Sequence, residues 1–318
     1  MPELPEVETV RAGLEPAVTG ARITGVRVLD TRSLRRHVGT ADTFGDELAG
    51  TRIGAAVRRG KFLWLPLTGT DRALVAHLGM SGQVLLRAVD APDDRLLRVR
   101  IEIGSPVHGP LSLAFVDQRI FGSMAVDDLV PVADAAPAGR GSEDTRIPSQ
   151  VAHIARDPLD PAFDERRFLA ALARKNTGVK RALLDQTLVS GVGNIYADEA
   201  LWAARLHFEA PTATLSRPRA KLLLAELRLV LTRALEDGGT SFDAQYVNVN
   251  GASGYFAQRL NAYGQQGKEC ARCGRPIART SFMNRSSHYC PWCQRLPRAV
   301  RPDHADPTPP TGGRNATW

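Results

Sequence analysis

Long hydrophobic runs are missing from this chain of 318 residues. No apolar stretch reaches the length of a membrane-spanning helix, and the acidic amino terminus, interrupted by prolines, lacks the pattern of a signal peptide. Hydrophobic residues nevertheless make up 43% of the chain, and a chain of this length has room for two separate cores. We therefore expect a cytoplasmic globular protein with two main domains.

Lysine is scarce, because only five of the 41 basic residues are lysines and the rest are arginines. The net charge of +7 favours a polyanionic partner, although many arginine-rich proteins are simply basic. Arginine does not release its proton, whereas a positioned lysine does, so the few lysines are candidates for proton transfer. They are Lys61, Lys175, Lys180, Lys221 and Lys268. Chance retention remains a fair explanation for the last two.

Cysteine is also scarce, and all four cysteines lie between positions 270 and 293. Cys270 and Cys273 form one C-x-x-C pair, Cys290 and Cys293 form another, and sixteen residues separate the pairs. This spacing is typical of a structural zinc site with four thiolates, which closes a hairpin too small to have its own core. Redox-active thiols are the alternative. Arginines surround the cysteines, which favours a finger that rests on phosphates.

The order of hydrophobic patterns predicts strands first and helices later. Up to about residue 130, short alternating segments bounded by glycine, aspartate or proline follow a short helix and favour an antiparallel sandwich or barrel. A stretch rich in proline and glycine then predicts a linker. Helical periodicity follows, beginning with FDERRFLAALARK, in which Asp164 is a candidate N-cap. The end of the chain, from about residue 297, predicts a disordered tail.

Two glycine-containing segments are candidates for DNA contact. In VSGVGNIYADE, Gly191 and Gly193 allow a tight turn, and the amides at the start of the helix from Asn194 are suited to holding a phosphate. Helix packing alone is the alternative. In HLGMSGQ, Met80 lies at a loop tip, where an apolar side chain is suited to entering a base stack. The alternative, for Met80 and for Phe121 of FVDQRIFG, is that both side chains pack between strands.

The amino terminus, MPELPEVETV, has two explanations. Pro5 and Glu6 fit the first turn of a helix, where proline costs no hydrogen bond and acids face the positive end of the helix dipole. Removal of Met1 would also leave Pro2 as a free secondary amine beside Glu3, which is a candidate nucleophile. The local pattern does not decide between the two.

Taken together, these motifs resemble the formamidopyrimidine-DNA glycosylase family. The resemblance runs in order from MPELPEVET through RRGKF, HLGMSG, VDQRIFG, KNTGVKRALLDQ, VSGVGNIYADEALW, SGYFAQ and AYGQQG to the four cysteines. It implies an α+β protein: an amino-terminal helix, an antiparallel β-sandwich, a helix-two-turn-helix module and a zinc-finger β-hairpin. The predicted boundaries are 1–132 for the sandwich, 133–161 for the linker, 162–262 for the helical module with its base-covering loop, 263–297 for the finger and 298–318 for the tail.

The resemblance also implies an enzyme of base excision repair. It would remove oxidised purines such as 8-oxoguanine and formamidopyrimidines from double-stranded DNA, cleave the strand at the abasic site, carry one structural zinc ion and act as a monomer near the nucleoid. Pro2 would be the nucleophile, Glu3 the general acid and Lys61 a proton-transfer residue. Glu6 would support them, and Arg285 would assist the second elimination.

The family's DNA contacts are carried over by motif. Met80, Arg119 and Phe121 would fill the gap left by the flipped nucleotide. Phosphate contacts would be His77, Lys175, Lys180, Asn194 and Tyr263.

The chain departs from the family pattern at two places, and two rival functions remain open. Where many relatives have a lysine in the base-covering loop, this chain has Ala252, which puts the range of lesions in question; a histidine near PDDRLLRVR is also absent. One rival is an endonuclease VIII-like glycosylase for oxidised pyrimidines, but that branch begins with Pro-Glu-Gly-Pro. The other is a non-catalytic DNA-binding protein with a zinc ribbon, which would not need Pro2, Glu3 or Lys61.

Overall fold

An antiparallel sheet of ten strands follows the first helix, α1 (Leu4–Val18), in the computed structural model, which describes residues 2–240 and 256–296. A second helix, α2 (Ala41–Leu48), lies between the first two strands. The strands are β1 (Arg22–Val28), β2 (Arg52–Ile53), β3 (Val57–Arg59), β4 (Phe62–Thr68), β5 (Arg72–His77), β6 (Gly82–Arg87), β7 (Leu97–Ser105), β8 (Gly109–Asp117), β9 (Ser123–Pro131) and β10 (Arg146–Pro148).

The sheet is built as a sandwich. Its strand order is β10-β9-β5-β4-β2-β1-β7-β8-β6, with β3 paired to β4. The two halves of this strand order and α1 enclose a single hydrophobic core. Leu63 of β4, Ile101 of β7 and Leu14 of α1 are buried in it. Because apolar and polar residues alternate along the strands, each half of the sheet has one apolar face, which packs against this core. The predicted β-sandwich is confirmed.

The segment 133–161, predicted as a linker, is more ordered than its composition indicates. Its strand β10 pairs with β9, and Ile147, Val151 and Ile154 are buried against the sheet. The abundance of proline and glycine concealed these few apolar residues, which lie too far apart to give a periodic signal. This segment therefore both connects the lobes and covers the sandwich.

The second lobe is helical, as the sequence predicts. Its first helix begins after Asp164, whose side chain accepts a hydrogen bond from the backbone N–H of Arg167 and is the N-cap. The helices are α3 (Glu165–Arg174), α4 (Val179–Leu183), α5 (Asn194–Ala203) and α6 (Arg217–Glu236). They pack around a separate core, which also receives Leu4 from α1. The start of α1 therefore lies between the two lobes.

A two-stranded hairpin, β11 (Ala278–Phe282) and β12 (Arg285–Tyr289), packs against α5. The four cysteines lie at its base, and Trp202 at the end of α5 covers them by donating its indole N–H to Cys270 Sγ at 3.4 Å. Helix α5 thus extends from the zinc-finger base at its carboxyl end to the inter-lobe region at its amino end.

A buried ion cluster joins the sandwich to the connecting segment 133–161. Arg58 of β3 binds Glu8 of α1 at 2.7 Å and Asp157 at 2.9 Å, and all three side chains are at most 7% exposed. Since removing one partner of a buried ion pair leaves an unpaired charge, we expect each of these residues to matter for stability by about 3 kcal/mol or more. The cluster fixes α1 and β3 relative to the end of the connecting segment.

Within residues 2–240 and 256–296, no helix is long and apolar enough to span a bilayer. Two predictions fall outside these residues: the base-covering loop with Ala252, and the tail at 298–318.

Candidate active site

The amino terminus satisfies the helix-start explanation. Glu6 Oε2 accepts a hydrogen bond from the backbone N–H of Glu3 at 2.8 Å, and a proline occupies the first turn of α1. Pro2 is buried directly before this turn. The helix start thus presents Pro2 and Glu3 at the junction of the lobes, so the two explanations of this motif are compatible.

The Glu3 carboxylate lies at the amino end of α5. It accepts backbone hydrogen bonds from Gly193 at 2.7 Å, Ile195 at 2.9 Å and Tyr196 at 3.4 Å, and Glu3 is 1% exposed. Burial raises the pKa of Glu3, and the nearby Lys61 charge opposes that rise. The amides predicted to hold a phosphate therefore hold the carboxyl oxygens of Glu3 instead, because this side chain already occupies the amino end of α5.

The glycines of the VSGVG turn are required by this contact. Gly191 has φ +85°, and a Cβ there would lie 2.8 Å from Leu4 Cβ. A Cβ on Gly193 would lie 2.3 Å from Glu3 Cδ. Leu4 also donates its backbone N–H to Gly191 O at 3.0 Å. Glycine at both positions lets the amino terminus pack directly on the turn.

Glu6 holds the same region from the other side. Its Oε1 accepts hydrogen bonds from the Tyr196 hydroxyl at 2.5 Å and from the backbone N–H and hydroxyl of Thr240 at 2.8 and 2.9 Å. Burial, followed by the Glu6 charge, raises the pKa of Tyr196 well above its usual value, so the phenol remains a donor. Glu6 therefore positions α1 against the helical lobe, in line with a supporting role.

Lys61 approaches the same turn from the sandwich. It lies between β3 and β4, and its Nζ donates to Val192 O at 2.8 Å. The preceding Gly60 has φ +56°, and a Cβ there would lie 2.7 Å from Ser190 Cβ. Burial lowers the pKa of Lys61, while the Glu3 charge opposes that change. A lysine with a lowered pKa releases its proton more readily than an exposed one.

An open cleft between the lobes brings the predicted residues together. It consists of two adjoining pockets, of about 430 and 570 Å³, that share Asn284 and Arg285 at the tip of the hairpin. The predicted site residues that line it are Glu3, Lys61, His77, Met80, Asn194, Tyr263 and Arg285. Asn194 also donates its side-chain N–H to Ser286 O at 3.0 Å, which joins α5 to the hairpin.

Two loops that carry the predicted gap-filling residues Met80, Arg119 and Phe121 lie beside this cleft. Met80 is 45% exposed and Phe121 is 50% exposed, so the alternative that they pack between strands is wrong. The buried Asp117 carboxylate accepts hydrogen bonds from the Ser81 hydroxyl at 2.6 Å, the Arg119 N–H at 3.0 Å and the Gly122 N–H at 2.7 Å. Asp117 therefore ties the Met80 loop to the loop that carries Arg119 and Phe121.

His77 faces the cleft as a neutral ring. Its Nδ1 accepts the Gly79 N–H at 3.3 Å, which assigns the ring proton to Nε2. Burial, followed by the positive charge of Arg36 and Lys61, lowers the pKa of His77 to about 4. A neutral N–H donor is therefore available to a phosphate over the physiological pH range.

Two predicted phosphate-binding lysines form ion pairs within the protein. Lys180 is 0% exposed: it forms an ion pair with Asp198 at 2.7 Å and donates to Ser287 Oγ at 2.8 Å and Ser286 O at 3.1 Å. The structure thus places Lys180 beneath the hairpin, without an exposed surface for a phosphate. Lys175 pairs with Asp185 at 2.5 Å and remains partly exposed.

Sequence reasoning missed several residues on α5. Besides Tyr196 and Asp198, the buried Glu199 accepts the backbone N–H groups of residues 261–263 at 2.8 to 2.9 Å, and so anchors the segment that carries Tyr263. Burial raises the pKa of Glu199. The signal that was available is the spacing: Tyr196 and Glu199 lie three residues apart on a mainly apolar helix, which places both on one buried face.

The cysteines have the geometry of a zinc site. The four Sγ atoms lie within 4.8 Å of one another, and Cys273 Sγ and Cys290 Sγ are 3.5 Å apart. Tetrahedral zinc with bonds of about 2.3 Å places sulfur atoms about 3.8 Å apart, so the donor set fits. The finger holds one structural zinc ion, bound by Cys270, Cys273, Cys290 and Cys293.

Comparison with known families divides the chain as the structure does. Residues 1–124 match the formamidopyrimidine-DNA glycosylase N-terminal domain, and residues 154–245 match the formamidopyrimidine-DNA glycosylase H2TH domain. Residues 267–296 match the zinc finger found in FPG and IleRS. The three matches correspond to the sandwich, the helical lobe and the hairpin.

Individual relatives extend over nearly the whole chain. A formamidopyrimidine-DNA glycosylase of Leifsonia xyli is 63% identical over 297 residues, covering 93% of this chain and 100% of that protein. One from Streptomyces avermitilis is 53% identical, covering 94% and 100%. Lactococcus lactis Fpg, crystallised with DNA containing an abasic site, superposes with a TM-score of 0.76 at 31% identity, covering 92% of this chain and 99% of the other. This chain therefore belongs to the formamidopyrimidine-DNA glycosylase family.

Proposed function

We propose that this protein excises oxidised purines, including 8-oxoguanine and formamidopyrimidines, from double-stranded DNA and then cleaves the strand at the abasic site. The observation that carries the proposal is the position of Glu3. This residue directly follows Pro2, lies beside Lys61, and has its carboxyl group bound by backbone amides of α5. A DNA-binding protein without catalysis has no need for a buried carboxylate and a lysine of lowered pKa at the floor of its cleft.

In the first step, the free Pro2 amine attacks C1′ of the lesion nucleotide. The N–C1′ bond forms, the bond from C1′ to the base breaks, and the base leaves with that electron pair and a proton. Glu3, whose raised pKa favours the protonated form, donates a proton to O4′ as the C1′–O4′ bond breaks. The product is a cationic iminium, because a secondary amine leaves no proton on nitrogen to lose.

Strand cleavage follows from the iminium, which acts as an electron sink. Removal of a C2′ proton expels the 3′-phosphate, and removal of a C4′ proton expels the 5′-phosphate. Lys61 transfers a proton in the first elimination, which its lowered pKa supports. Arg285, exposed at the hairpin tip, stabilises negative charge on a departing phosphate in the second, since arginine does not act as a proton donor.

The cleft also has the groups needed to hold a kinked strand. Asn194, Tyr263 and the neutral His77 are polar groups along its wall, suited to phosphates. Met80, Arg119 and Phe121 are exposed beside it and suited to filling the space of the flipped nucleotide. We also propose that the protein acts as a monomer in the cytoplasm, at the nucleoid.

The range of lesions is part of the proposal. Lactococcus lactis Fpg has been crystallised with Fapy-dG DNA and also with DNA containing an oxidised pyrimidine. We propose purines as the main substrates here, because this chain combines the Pro-Glu-Leu-Pro-Glu amino terminus with Met80, Arg119 and Phe121.

Product analysis on matched duplexes tests the function. Duplexes with 8-oxoguanine opposite cytosine, an oxidised pyrimidine, or no lesion are incubated with the protein, and released bases and strand ends are identified by mass spectrometry. We expect release of 8-oxoguanine and ends with phosphate on both sides of the gap. Faster release of the oxidised pyrimidine would favour the endonuclease VIII-like alternative, and binding without release would favour the non-catalytic one.

A further inference from the structure

The segment 118–122, here called the wedge loop, follows β8 and carries Arg119 and Phe121. Ile120 at its centre has φ +55°, a conformation that a β-branched residue rarely adopts. Asp117 binds two backbone N–H groups of the loop from within the sandwich. The carbonyl groups of the loop need a separate partner, since Asp117 only accepts hydrogen bonds.

Arg35 is that partner. Its Nη1 donates to Ile120 O at 3.2 Å and to Gly122 O at 2.5 Å, and its Nη2 donates to Phe121 O. One guanidinium thus binds three consecutive carbonyls of the loop that presents Phe121. Arginine suits this task because its N–H groups have a fixed planar arrangement that a lysine lacks.

The base of Arg35 is itself well anchored. It follows a short 3-10 helix, Thr31–Leu34, which Asp30 caps by accepting the Arg32 N–H at 3.1 Å. Ser33 and Leu34 are buried in the sandwich. The contact therefore links the wedge loop to a segment that is anchored in the core of the sandwich.

We propose that Arg35 is a positioning residue for base excision, which holds Phe121 and Arg119 at the depth where they replace the flipped nucleotide. The proposal rests on the proposed function. Without Arg35 the loop has to be ordered during each encounter with DNA, and its side chains enter the stack less accurately. The step that depends on base flipping slows, whereas reaction at an abasic site in a single strand, which has no stack to fill, does not.

Because Arg35 is exposed, a simple phosphate contact is the competing explanation. The two make different predictions. A phosphate contact adds affinity for any duplex and increases the salt dependence of binding. A positioning role changes the excision rate of bound enzyme and leaves the salt dependence unchanged.

The test compares Arg35→Ala and Arg35→Lys with the matched control Arg32→Ala, which removes a neighbouring exposed arginine that pairs with Asp30 and does not touch the loop. Single-turnover excision of 8-oxoguanine is measured with excess enzyme, beside cleavage of an abasic site in single-stranded DNA. For Arg35→Ala we expect excision to slow by about tenfold to a hundredfold, as for an error of about 1 Å in placement. Single-strand cleavage should stay within about twofold of wild type. Arg35→Lys should restore little of the loss, and Arg32→Ala should match wild type.

Amide hydrogen exchange of the DNA-free protein supplies a readout that does not depend on activity. Arg35→Ala should speed exchange across residues 119–122, and Arg32→Ala should not. Equal loss of both reactions with a smaller salt slope would overturn the proposal in favour of a phosphate contact, and unchanged excision or unchanged exchange would also overturn it. If wild type fails on every lesion, the proposed function falls, while exchange still decides whether Arg35 fixes the loop.

Discussion

Substitution of Gly193 by alanine tests the geometry of the active site most sharply. The new Cβ would lie 2.3 Å from Glu3 Cδ, whereas carbon atoms in contact prefer about 3.5 Å, so Glu3 or α5 has to move by about 1 Å. The backbone of Gly193 has φ −127°, which alanine adopts freely, so the effect is steric and not conformational.

A shift of this size has two consequences. Overpacking should lower the free energy of unfolding by about 1–3 kcal/mol, because the atoms nearest to the new Cβ belong to the buried Glu3 side chain, whose carboxyl group is held by backbone hydrogen bonds. Displacement of the general acid should lower the single-turnover rate of base excision by about a hundredfold. The rate is measured at saturating enzyme, and stability by denaturant unfolding.

Gly104→Ala is the matched control. Gly104 lies in β7, where the nearest atom to a new Cβ is Arg22 O at 3.9 Å, so the same chemical change meets no obstacle. We expect that variant to retain its activity. If Gly193→Ala excises 8-oxoguanine as fast as Gly104→Ala and unfolds at the same denaturant concentration, the close contact between Gly193 and the Glu3 carboxyl group is not needed, and the reasoning is refuted.

Three further predictions concern charge and metal. Lys180→Met should lower the free energy of unfolding by about 3 kcal/mol, because it leaves Asp198 buried without its cation. The salt dependence of DNA binding should not change, and a flatter salt dependence would instead show that Lys180 binds a phosphate. Because the pKa of His77 is lowered to about 4, the unfolded state binds a proton at a higher pH than the folded state does. The free energy of unfolding should therefore fall as the pH drops from about 6.5 towards 4. Urea titrations at both pH values should show a smaller fall for His77→Asn. Chelation of zinc should abolish duplex binding while the far-ultraviolet signal of the sandwich persists, and retained binding would contradict a structural role for the ion.

The sequence was most informative where a residue type or spacing points to one structural role. Paired cysteines predicted the zinc site, and alternating or helical periodicity predicted the sandwich and the helices with Asp164 as a cap. Such signals are local, so they do not depend on what the tertiary structure brings near.

Long-range contacts were not predictable in the same way. The Glu3 carboxylate occupies α5 amides some 190 residues away in the chain, as the Gly193 bond shows. Lys180 has the same sequence context as a phosphate ligand but is buried under the hairpin, because Asp198 lies on its neighbour α5. Arg35 carries no motif at all, since its partners are backbone carbonyls and any loop sequence supplies those.

The central claim is that the amine of Pro2 is the nucleophile. Borohydride reduction during reaction with an 8-oxoguanine duplex, using protein whose amino terminus is verified by mass, should yield a covalent adduct in which peptide mapping places the DNA on Pro2. Protein with an uncleaved tag ahead of Pro2 should bind the duplex but form no adduct. An adduct that maps to Lys61, or equal trapping of the tagged protein, would contradict the account.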